Sequence, residues 1–165
     1  LVQLGHKLNT SQGVEERLTR IAKEKEIPIR EVEDFVEHAG IYTSWSKELQ
    51  ILLLEEGMEV DLMEYTDGVQ ELYEAWCAGD EADLIEAVKD DTSDMTEEEL
   101  ALYEEYNKSI SSDRNAGMLE VAKEYLESGD VVFYAVGLAH LLNDVNGLVD
   151  ALRDAGYTVE LVQYK

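Results

Sequence analysis

Val131-Val132-Phe133-Tyr134-Ala135-Val136, running directly into Gly137-Leu138-Ala139-His140, is the stretch whose reading decides the fold of this chain. Six consecutive apolar residues read as a strand. The glycine lets the backbone turn at the strand exit, and a histidine just beyond it sits where α/β proteins keep their chemistry. Outward from that stretch, Arg114-Asn115 opens an apolar helix bearing Met118, Val121, Ala122, Tyr125 and Leu126, ended by Gly129. Downstream, a helix from about Asp144 to Ala155 and a strand Thr158–Val162 complete a βαβ unit, whose crossovers are right-handed almost without exception.

Further upstream, Val14, Leu18, Ile21 and Ala22 share one helical face, which ends before Pro28. Ile27 to Val32 then reads as a short strand closing in Glu33 and Asp34. Between about residues 44 and 110 the pattern is helical. Ser44 or Ser46 starts a helix carrying Leu49, Leu52 and Leu53 that stops at Gly57. A second runs from about Val60 to Ala78 and a third carries Leu84, Ile85 and Val88. Thr96 with Glu99 forms a capping box for a fourth. The expected fold class is therefore α/β: one domain over residues 1–165, with a small, mostly parallel three-stranded sheet and a helical insertion at about 44–110. Three strands are few for so many helices, as in a fragment of a larger domain.

The 165 residues carry 38 acidic side chains against 13 basic ones, a formal net charge of −25. Such a field repels phosphate backbones and excludes nucleic acid as a partner, while it attracts cations or basic partners. Cys77 is the single cysteine, so there is no disulfide framework within the chain and no cysteine-based metal site. It reads as core or as a half-buried small hydrophobe. No G-x-S-x-G elbow and no H-E-x-x-H motif occur. The nine tyrosines recur at helical spacing and read as packing.

Four residues can carry chemistry. His140, past a strand end, can ligate a metal or shuttle a proton. Glu33, at the end of a strand parallel to 131–136, opens its carboxylate onto the same crevice. Arg114 stands against the positive end of a helix dipole, as a cation placed there to meet a carboxylate or a substrate anion. Asn115 beside it can give and accept hydrogen bonds. His38 needs a loop that folds back to join them, and His6 has no partners in view.

Arg114-Asn115…Met118 followed by VVFYAVGLAHLLNDVNGLVDALRDAGYTVELV resembles the C-terminal half of the TraB/GumN family, which groups with the Tiki proteins and with erythromycin esterase and ChaN-like folds. Members carry two G-x-x-H motifs, an Arg-Asn pair opening a helix and a Leu-Glu pair ending a strand. Here Gly137-Leu138-Ala139-His140 matches the second G-x-x-H, Arg114-Asn115 the pair, and Glu33 the glutamate. The first G-x-x-H has no counterpart, and Leu4-Gly5-His6 does not replace it. That departure, with an opening lacking Met, reads as truncation upstream of Leu1.

The resemblance implies a metal-dependent peptide hydrolase, incomplete and inactive in this form. His140 and Glu33 would hold a divalent ion (Mn, Zn or Co), or none in this form. Glu33 would otherwise act as general base, Arg114 would stabilise an oxyanion, and Asn115 would orient substrate or hold a neighbouring site residue in place. The alternative is a non-catalytic module that binds a peptide or small molecule, with Arg114 as its anchor. Homodimerisation through an exposed sheet edge is a further expectation. The compartment stays open, an extracytoplasmic or membrane-associated parent protein included.

Overall fold

The computed structural model describes residues 13–89, 91–142 and 147–162. Helix α1 (Val14–Glu24) begins the described chain. Helix α2 (Phe35–Ser44) follows, capped by Asp34, whose carboxylate accepts from the backbone N–H groups of Val36 and Glu37. Helices α3 (Lys47–Glu59), α4 (Leu62–Ala78) and α5 (Glu81–Ala87) come next, capped by Ser46, Asp61 and Asp80. Each cap answers backbone donors that a first turn leaves unpaired. Helix α3 continues through Gly57 to Glu59, because a lone glycine inside a helix only weakens it.

The capping box of Thr96 and Glu99 opens α6 (Glu97–Asn107). A π turn, Lys108–Ser112, then leads without a break into α7 (Asp113–Ser128). Gly129 ends α7 at φ 77°, a left-handed conformation that favours glycine. Two short helices, α8 (Leu138–Leu142) and α9 (Leu148–Asp154), complete the order.

The expected α/β class is overturned: among the described residues there is no strand and no sheet. The segments 27–32, 131–136 and 158–162 run without regular secondary structure, and no backbone hydrogen bonds link them into a ladder. Their side chains still behave as strands would. Tyr134 and Val136 pack onto α7 while Val131, Phe133 and Ala135 face outward, Phe133 being 79% exposed. The apolar run reports a need for burial, but a ladder also needs a partner backbone in register. Parallel strands buried on both faces require covering layers on both sides, and here helices cover one side only. A sheet of two or three such short pieces is marginal in water. Cys77, read as core or as a half-buried small hydrophobe, is exposed.

The core sits where α7 meets α9. Met118, Ala122 and Leu148 are buried together, and Val32, Leu119, Tyr134, Val136, Leu141 and Leu152 pack around them. The Tyr134 hydroxyl donates to the Met118 carbonyl at 2.7 Å. A second cluster stands at the junction of α6 and α7. There the Trp45 ring lies between Tyr42 and Tyr106, and the Trp45 indole N–H donates to Ser109 in the π turn at 2.8 Å. Glu105 fixes the start of α3 by accepting from both the backbone N–H and the hydroxyl of Ser46.

Candidate functional site

Asn115, Met118 and Ala122 lie on one face of α7, at positions i, i+3 and i+7, and all three are buried. Asn115 is therefore a polar residue on the core face, and at 3% exposure it is the one buried polar side chain among the described residues. A buried amide needs hydrogen bonds to offset its desolvation. His140 supplies one: its Nδ1 lies 2.6 Å from Asn115 Oδ1. An amide oxygen only accepts, so Nδ1 carries the proton and the lone pair resides on Nε2. Burial, with the Arg114 charge nearby, pulls the imidazole below its ordinary pKa, so the ring is neutral at pH 7.

Arg114 points the other way around the helix and reaches Glu33. Its Nε and Nη2 donate to Glu33 Oε1 and Oε2, both at 2.8 Å, in a bidentate pair. Its Nη1 donates to the Ile110 carbonyl of the π turn at 3.0 Å. The guanidinium holds the Glu33 carboxyl below the ordinary carboxylate range. The dipole argument for Arg114 does not apply, because the π turn carries helix continuously from α6 into α7 and no free helix end stands there. The hydrogen-bonded carboxylate of Glu33 and the Ile110 carbonyl hold the cation instead.

These groups open onto one pocket of about 500 Å³. Arg30, Glu31, Val32, Glu33 and Phe35 line one side, and Ala135, Val136, Gly137 and His140 another, with Arg114 and Met118 from α7 and His38 from α2. Glu33, Arg114 and His140 thus meet despite wide sequence separation, with Asn115 behind His140. The route is a helical one: α7 presents Arg114 and Asn115, α8 presents His140, and the turn before α2 presents Glu33.

His38 was the residue that sequence reasoning underrated. It arrives on α2 rather than on a folded-back loop, with Nδ1 at 4.0 Å from Glu33 Oε2 and its ring edge-on to Tyr42. The signal was present: Asp34 caps a helix and His38 lies one turn in, beside Glu33. His6 lies outside the described residues. Gly137 is not at positive φ, and a Cβ there would meet His140 Cδ2 at 3.6 Å, an ordinary contact. The backbone freedom of this glycine is not what the site requires.

The TraB/PrgY/gumN family model matches residues 2–161. This chain belongs to the TraB/PrgY/gumN family. The match covers the pocket residues from Arg30 to His140 together with the helices between them. No curated protein and no solved structure matches the chain. Among the described residues no three His, Cys, Asp or Glu side chains are placed to hold one metal ion, and no helix is long and apolar enough to cross a membrane.

Proposed function

We propose that the chain carries the reaction centre of a peptide hydrolase of TraB type, with His140 as its central group. The observation that carries this reading is the Asn115–His140 hydrogen bond. It fixes the ring and its tautomer and keeps the Nε2 lone pair available in a pocket, the arrangement a general base needs. In the reaction, water attacks the peptide carbonyl while Nε2 takes its proton. That proton then passes to the leaving amine as the C–N bond breaks. Asn115 holds the imidazolium that forms between the two steps. Arg114 keeps one N–H on each of Nη1 and Nη2 beyond its bonds to Glu33 and Ile110, and these are its donors toward the oxyanion.

The resemblance set out above also implies a divalent ion. The described donors do not make up its ligand set: His140 offers one nitrogen, and both oxygens of Glu33 already accept from Arg114. A catalytic zinc normally takes three protein ligands. No step here is assigned to a metal.

The test is cleavage of a mixed peptide library read by mass spectrometry, with and without Mn²⁺, Zn²⁺ or Co²⁺, alongside calorimetry with the same ions. Cleavage should fall by roughly 10²–10⁴ in His140→Ala and by a smaller factor in Asn115→Ala. Cleavage unaffected by His140→Ala would overturn the reading. Peptide binding without cleavage under every condition would favour the second reading, a binding module. That alternative draws its support from the mutual satisfaction of Glu33 and Arg114, which suits a fixed wall better than a reacting group.

A further inference from the structure

We infer that the apolar face of α4 is a docking surface for a basic amphipathic helix of a partner protein. The helix is strongly two-sided. Leu62, Tyr65, Val69, Leu72, Tyr73 and Trp76 recur at helical spacing on one side, and Glu64, Asp67, Glu71 and Glu74 occupy the other. A helix of 17 residues with such a stripe ordinarily buries it, because packing of that stripe supplies most of its stability. Here no residue of α4 is buried. Leu62, Tyr65, Tyr73 and Trp76 are between 51% and 60% exposed. The principal neighbour of α4 is α5, only seven residues long. Exposed apolar surface of this extent, rimmed by polar residues, marks an interaction site.

Charge selects the occupant. From Glu48 to Val88 the sequence has 13 acidic residues and no basic one. A second copy would bring the same excess of negative charge against this one, and an anionic lipid surface would be repelled for the same reason. The complementary occupant is a helix with an apolar stripe and a surplus of Lys and Arg, which lays its stripe on α4 and is drawn there by the acidic field of the whole 48–88 stretch. None of the α4 residues lines the His140 pocket, so this surface stands apart from the proposed reaction centre.

The test uses three labelled synthetic helices, read by fluorescence anisotropy: one with Leu and Lys faces, one with Leu and Glu faces, one with Ser and Lys faces. The Leu/Lys helix should bind, the Leu/Glu helix should not, and the Ser/Lys helix should bind at least about tenfold more weakly. Replacing the exposed pair in Tyr73→Ser/Trp76→Ser should weaken Leu/Lys binding by about tenfold or more, while Leu126→Ser on α7 should leave it unchanged. Three results would overturn the inference. They are equal binding of the Ser/Lys helix, binding indifferent to the α4 double substitution, and a dimer in sedimentation that the same substitution dissolves.

Discussion

The α7–α9 end of the molecule and the α3–α5 stretch use the same twenty amino acids to opposite ends. Around α7, apolar residues converge on Met118, Ala122 and Leu148, and polar side chains beside them are paired: Arg114 with Glu33 and Ile110, Asn115 with His140. From Glu48 to Asn107 there are 21 acidic residues and a single base, Lys89. Among the described residues of that stretch, only Leu49 and Leu84 are buried. The contrast teaches that sequence charge and structural order are divided along the chain. One end is held by packing and paired groups. The other is held by the packing of α3 on α6 at Leu49 and, beyond it, by caps and local helix bonds that work against its own repulsion.

The largest expected effect tests that division directly. Met118→Ala should cost about 2–5 kcal/mol by leaving a cavity in the buried cluster, whereas Leu72→Ala in α4 should cost about 1 kcal/mol or less. Chemical denaturation of the two variants checks it, and equal losses would break the comparison. Next in size, Arg114→Ala should cost about 2 kcal/mol, because it leaves the Glu33 carboxylate without its donors. Glu33→Gln should cost less, since the amide oxygen still accepts from the guanidinium. Salt should act on the other region: raising it from about 0.1 M to about 1 M should increase the melting temperature by roughly 5 °C through screening of like charges. Hydrogen exchange should place that gain in α3–α5 rather than in α7.

The smallest effect is expected on acidification. Glu33 has a lowered folded pKa, so its contribution is complete above the ordinary carboxylate value and is lost as pH falls through the folded one. His140, lowered by burial, follows the same sign: its neutral form is favoured in the folded state, and that advantage fades once the pH drops below its ordinary value of 6.5. Melting curves between about pH 7 and about pH 4 should show a shallower acid limb in Glu33→Gln than in the parent chain.

Much of the helical half was legible in advance, because caps act locally. Thr96 with Glu99, Ser46 before Leu49, and Gly129 after α7 each announce a boundary within four residues. The strands were not legible in the same way. A run such as Val131–Val136 states that its side chains seek burial, and the segment does place Tyr134 and Val136 on the core. Whether its backbone pairs depends on distant partners that no local pattern encodes. At the candidate site, Glu33 and His140 were singled out as strand-end residues and through the family resemblance; the strands are absent among the described residues, yet both line one pocket with Arg114. The mutual pairing of Arg114 with Glu33 was one option among many acids, and only the fold selects it. The Asp34 cap places His38 one turn into α2, but that helix, with its mixed polarity, shows no clean apolar stripe to say which way the ring faces.

The π turn at Lys108–Ser112 ties these two ends together. Ser109 within it receives the Trp45 indole, and the Ile110 carbonyl next to it receives Arg114. Five residues thus anchor both the aromatic cluster and the guanidinium. A substitution that reshapes the π turn would therefore disturb both anchors at once. The aromatic cluster is in this sense a lever resting on the same fulcrum as the arginine.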